Sequence, residues 1–222
     1  MTGVQTCALP IYNRERYEQK WGAWRPSEGF WLVEDHRREL AALGAPGFVF
    51  FAATMRHQSG EWERNRQIAR VLARSGRRVA ILDRSGASDE EPLGFSILEP
   101  GLYGFRGSLE VLRGVAGGAI WVGPCNAHFA DRLAGMPVIY DLTAPPANHG
   151  CRPEVARRNH DRMLARAVLV TSSDEELLTR FAPDRAVLVD PEHDPTCRAL
   201  LEALATLLPD VAGGGTGDRD ER

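Results

Sequence analysis

Three histidines, His57, His128 and His149, each follow a short apolar run and sit among groups that bind ligands or move protons. Arg56 precedes His57, Cys125 and Asn126 precede His128, and Asp141, Thr143 and Asn148 precede His149. Imidazole titrates near neutral pH, so such residues could take a proton from a hydroxyl or hydrogen-bond a phosphate. Asp83 and Asp141 close two apolar runs and add carboxylates. Cys125 and His128 suggest a nucleophile and its base, but a reactive thiol needs a lowered pKa and a partner in reach. A small apolar cysteine at a strand exit is the plainer reading. His128 falls in the first turn of an expected helix, where capping or surface exposure suits it. The substrate-binding set that results is Arg56, His57, Asn126, Asp141, Thr143 and His149, with no catalytic residue assigned. No metal ligand set is expected, because Cys7, Cys125, Cys151 and Cys197 lack the CxxC spacing of a zinc site.

These residues matter only if the chain brings them to one place. The stretch GAIWVGPCNAHFADRLAGMPVIYDLTAPPANHG (118–150) holds two apolar runs, AIWV (119–122) and PVIY (137–140). Apolar on both faces and rich in β-branched or aromatic residues, they suit buried parallel strands. Between them, 126–134 reads as a helix capped by Asn126 and ended by Gly135. A strand–helix–strand unit of this kind crosses over right-handed, and both strands exit into polar loops at the edge where open α/β sheets bind ligands.

The flanking chain repeats the pattern. GFVFFAA (47–53) is a strand, 61–75 a helix with Ile68, Val71 and Leu72 on its apolar face, and RRVAILD (77–83) a second strand. The loop between strand and helix lacks G-x-G-x-x-G and G-x-x-x-x-G-K, which disfavours dinucleotide and P-loop sites. FSIL (95–98) is a short strand, and 108–115 a helix capped by Ser108. A helix over 153–165 presents Val155, Met163 and Leu164 inward, and VLVTSS (168–173) is a strand. Ser173 and Glu176 have capping-box spacing. AVLVD (186–190) and a helix over 196–208 close the domain, and the Gly-rich charged tail has nothing to bury. The expected fold is α/β: a single Rossmann-like domain with a mostly parallel sheet of six or seven strands and helices on both faces. Residues 12–45 form an arm or linker, 46–208 the domain and 209–222 a disordered tail, and the arm and tail are expected to pack little.

Composition bounds the partners. With 222 residues, 43% apolar and 26% charged, the chain is ordinary for a globular protein. A net charge of -3 gives no argument for nucleic acid, and no run of about 18 apolar residues spans a membrane. Arg157, Arg158 and Arg162 read as a solvated helix face. The cysteine usage points to a reduced cytoplasm.

Several segments resemble one family. NRQIARVLARSGRRVAILD (65–83), PVIYDLT (137–143) and RNHDRMLARAVLVTSSDEELLTRF (158–181) are similar, in order, to conserved segments of the N-terminal half of GT-B glycosyltransferases of family-four type. Asp141 matches that family's "YD" position. The resemblance implies an acceptor-side half of an enzyme that moves sugar from an activated donor to a surface glycan or lipid-linked acceptor. It implies no metal and no resident cofactor; a nucleotide-sugar donor is expected only for a full-length enzyme. A lipid-linked acceptor would place the protein at the inner membrane, on its cytoplasmic side. Trp62 and Trp121 could stack on sugar, although rings in helices and strands more often belong to the core.

Three departures stand out. TMRHQSGEW replaces the usual glycine-rich turn, VDPEHDP replaces "vPNGVD", and the family's second, donor-binding domain is missing. The half is therefore expected to be inactive alone. Residues 12–26 are similar to the closing segment of family-two (GT-A) domains, which implies a covalent upstream glycosyltransferase domain. Residues 1–11 closely resemble the in-frame translation of a sequencing-library adapter, with Met1 in place of valine. They fit no signal peptide, having neither a basic n-region nor an adequate apolar h-region. The alternative function is a non-catalytic Rossmann-like binding or assembly module.

Overall fold

The computed structural model describes residues 28–44, 47–52, 60–82, 93–145, 152–182 and 184–208. The elements run α1 (Glu28–Ala42), β1 (Phe48–Ala52), α2 (Gly60–Arg74), β2 (Arg78–Leu82), β3 (Gly94–Glu99), β4 (Leu102–Arg106) and a 3-10 turn (Leu109–Leu112). Then follow β5 (Ala119–Val122), α3 (His128–Arg132), β6 (Val138–Asp141), α4 (Pro153–Arg166), β7 (Leu169–Ser172), α5 (Glu175–Phe181), β8 (Ala186–Leu188) and α6 (Arg198–Leu207).

All eight strands join one sheet in the order β3-β4-β2-β1-β5-β6-β7-β8. Every pairing is parallel except the β3–β4 hairpin at one edge. The order reverses between β1 and β5, the switch point of a doubly wound sheet, where the loops after neighbouring strands part to opposite faces. β1 shows why the centre must be covered on both sides: its five residues are all buried. Phe48 and Phe50 face α1, α3, α4 and α5 with Leu40, Phe129, Met163 and Leu177. Val49 and Phe51 face α2 and α6 with Ile68, Leu72, Leu200 and Leu204. Helices thus lie on both faces, as the sequence pattern predicts.

Several local expectations change. The sheet has eight strands rather than six or seven, because LYGFR forms β4 with no apolar run to announce it. Residues expected as a helix over 108–115 make only a 3-10 turn, whose Ser108 hydroxyl accepts from the Glu110 N–H. The helix expected over 126–134 shrinks to α3, and its cap, Ala127, makes no side-chain bond. Asp174, not Ser173, caps α5, accepting from the N–H groups of Glu176 and Leu177. On α2, Ile68 and Leu72 are fully buried as expected, joined by Ala69, while Val71 is only half-buried.

The polar helix α1 is packed rather than free. Leu40 and His36 are buried, His36 lies edge-on to Phe105, and the Phe95 N–H donates to Glu39 Oε2 at 3.2 Å. That approach requires Gly94, with φ of +106°: a Cβ there would sit 2.8 Å from Glu39 Oε2. Residues 1–27 and 209–222, with the expectations placed on them, lie outside the described residues.

Candidate functional site

β6 places Asp141 at its last position, on the sheet face covered by α2 and α6. One turn before Ile68 on α2 comes Arg64, which continues the buried stripe of Ile68 and Leu72 towards the sheet. The two meet in a buried ion pair. Arg64 Nη1 lies 2.8 and 2.6 Å from Asp141 Oδ1 and Oδ2, with side-chain exposures of 11% and 1%. Arg64 Nη2 donates to the Val189 carbonyl at 2.9 Å, and Thr171 Oγ1 donates to Asp141 Oδ1 at 2.8 Å. The pair therefore ties α2 to the ends of β6, β7 and β8. Arg64 Nε is buried without a partner.

Above this pair opens a cleft of about 560 Å³. Its walls come from α2 (Glu63, Arg64, Gln67), from the loops after β6 and β7 (Thr143, Ser173), and from the turn after β8 (Asp190, Pro191, Glu192). All but Pro191 are polar. The cleft lies at the sheet edge expected from the pattern, displaced from the switch point towards β6–β8.

The switch point holds Asn126. Its Oδ1 accepts from the Gly123 N–H at 2.6 Å and its Nδ2 donates to the Ala52 carbonyl at 3.0 Å, bracing the exits of β5 and β1. Asn126 is thus a buried strut, neither the helix cap nor the cleft residue expected of it. Asn159 braces the same loop by donating to the Pro124 carbonyl at 2.8 Å.

Of the sequence-predicted set, only Thr143 lines the cleft, and Asp141 sits beneath it. Arg56, His57 and His149 lie outside the described residues, as do Asp83, Asn148 and the side chain of Trp62. Trp121 is core, stacked on Phe51 with ring centroids 4.8 Å apart, and its Nε1 has no partner. Cys125 is exposed rather than tucked away as an apolar residue, and His128 is exposed with its ring against Phe129. Arg157 and Arg158 are solvated, whereas Arg162 pairs with Asp131 at 3.0 Å.

Glu63, Arg64, Gln67, Ser173, Asp190 and Glu192 were missed. Arg64 alone had a signal: a charge on the buried stripe of an amphipathic helix requires an opposite charge in the core.

Electrostatics at the cleft edge are set by the turn after β8. The side-chain hydrogen bond from His193, 2.8 Å away, leads in holding Asp190 below the usual carboxylate range, helped by the backbone N–H groups of Glu192 and His193. Burial opposes this shift without cancelling it. Further along, burial pushes the Cys197 thiol up to about 11, with the negative charge of Asp194 adding to the effect. A thiol so protonated is a poor nucleophile at neutral pH. Among the described residues, no cluster of three or more His, Cys, Asp or Glu could hold a metal ion, and no helix is long and apolar enough to cross a membrane.

The strand order and the cleft define a Rossmann-like α/β domain with a polar cleft at the strands' C-terminal edge. No family model matches the chain, and no curated protein matches it. Among solved structures it is similar to a sucrose-phosphate synthase from Thermosynechococcus elongatus, at 12% identity and a TM-score of 0.49, over 72% of this chain and 97% of that one.

Proposed function

We propose that this chain is the acceptor-side half of a GT-B glycosyltransferase, an enzyme that transfers sugar from a nucleotide-sugar to a surface glycan or lipid-linked saccharide. The observation that carries the reading is the cleft itself. Hydroxyl, amide and carboxylate groups from four separate segments converge on one concavity at the edge where such sheets bind ligands. Neutral saccharides are recognised by that kind of lining, and its described residues include no glycine of a phosphate cradle. In this reading Asp141 orients the loop carrying Thr143, and its carboxylate is not itself a ligand for sugar. An upstream glycosyltransferase domain, if joined through residues 12–27, would connect before α1, which packs on this sheet.

A second reading, a non-catalytic assembly module, draws on one observation: Leu93 beside the edge strand β3, and Ile97 and Leu98 on it, are exposed.

Calorimetric titration of the full chain with oligosaccharides tests the first reading. Saturable binding is expected, lost in Thr143→Val and Gln67→Leu with the melting temperature unchanged. Absence of saturable binding to any glycan, in a folded chain, would refute it.

A further inference from the structure

Among the described residues, the charges around the cleft do not balance. Its described lining contains one arginine, and the charge of that arginine is matched by Asp141. Arg64 Nη1 donates to both carboxylate oxygens of Asp141, one N–H of Nη2 donates to the Val189 carbonyl, and Nε is buried, so its charge is already matched. Asp141 in turn is neutralised by Arg64. What remains on the walls are the carboxylates of Glu63, Asp190 and Glu192, with Glu63 and Glu192 exposed to solvent. His193 faces Asp190 and adds positive charge only when protonated. A ligand in direct contact with these walls lies well inside the Debye length of about 8 Å at physiological salt, so salt screens these charges only in part.

We propose that the cleft selects an amine-bearing, hydroxylated ligand, an amino-sugar unit of the acceptor, over a phosphorylated or carboxylated one. This rests on the saccharide reading above and deepens it. Carboxylates on opposite walls, from α2 and from the turn after β8, can both face an ammonium group. The hydroxyls of Thr143 and Ser173 and the amide of Gln67 remain for the sugar's own hydroxyls. Among the described lining residues, a phosphate would meet three carboxylates and no cation whose charge is not already matched.

The test is a charge series on the full chain by calorimetry, with chemical shifts of the Gln67 and Thr143 amides reporting location. The probes are a glucosamine trisaccharide with free amines, its N-acetylated counterpart, spermidine and inorganic pyrophosphate. The free-amine trisaccharide is expected to bind about tenfold more tightly than the N-acetylated one, the gain shrinking as salt rises. Pyrophosphate should not shift the two amides. Glu63→Gln with Glu192→Gln, both on exposed side chains, should bring the affinity of the free-amine trisaccharide down to that of its N-acetylated counterpart. Equal affinity for both trisaccharides overturns the charge selection and leaves the saccharide reading standing. Spermidine binding as tightly as the amino sugar keeps the charge selection and removes the saccharide reading. Preference for pyrophosphate, or binding of none of the four, overturns the proposal.

Discussion

At the scale of single residues the molecule turns on Arg64 and Asp141. Two charges this deeply buried gain from each other roughly what desolvation costs them, so their presence is weak evidence for stability, whereas removing one strands the other. Arg64→Met or Asp141→Leu alone should therefore cost about 3–5 kcal/mol in chemical denaturation. The double variant should recover most of that loss, since no buried charge is left. Single variants that lose less than about 1 kcal/mol would show the pair to be solvated in solution. The consequence for function is practical: Asp141→Ala cannot probe binding, because the fold would weaken with it. Asp141 was legible in the sequence as a carboxylate closing an apolar run, and its place beneath the cleft agrees with that. Its partner lay 77 residues away. A local pattern could show that Arg64 needed a counter-charge but not which carboxylate the sheet would bring to it. Asn126 failed in the opposite way: its sequence position suits a cap, yet the neighbouring strand's carbonyl, invisible in the sequence, took its side chain.

Elements were read well wherever both faces of a strand are buried and poorly wherever the chain turns. β1, β2, β5, β6 and β7 are short apolar runs, and burial against helices on both sides is what makes them so. β4 escaped because only Leu102 and Phe105 of its five residues are fully buried, and its glycine, Gly104, faces Ser96 across the ladder. Helix ends slipped by a residue or more because capping depends on backbone angles: Asp174 has the extended φ of -118° and ψ of 112° that a cap needs. The start of α6 is the sharpest case. Cys197 occupies the left-handed region, with φ of 45°, an unfavourable place for a side chain with a Cβ. Asp194 holds it there, accepting from Thr196 N and Oγ1 and from Arg198 N. Those bonds, led by the Thr196 hydroxyl, lower the Asp194 pKa from 3.8. A lowered carboxylate pKa means the contribution is fully present above pH about 4 and is lost as pH falls through the folded value. Amide exchange should show Arg198 and the first turn of α6 losing protection below that pH, while β5 and β6 stay protected. In Asp194→Asn the same amides should already be less protected at pH 7. Protection that does not change with pH in the native chain would show that the turn is held by something else.

The described residues form one sheet with a polar cleft at its edge, and that bounds the chemistry this part of the chain offers. Sugar transfer requires a donor and an acceptor held in line, and such positioning can supply about 7–11 kcal/mol of barrier lowering. In the proposed reading the cleft holds the acceptor, with its polar groups already committed to hydroxyls and an amine. A nucleotide-sugar brings a pyrophosphate, for which the described lining offers no free cation. The 222-residue chain should therefore bind an acceptor and turn over no donor. Incubation with a panel of nucleotide-sugars and an oligosaccharide that binds, followed by mass spectrometry of the glycan, is the measurement. The expected result is an unchanged glycan mass at protein concentrations that saturate it. A product one sugar heavier, formed by this chain and abolished by Thr143→Val, would show that the cleft completes a catalytic site unaided and would end the half-enzyme reading.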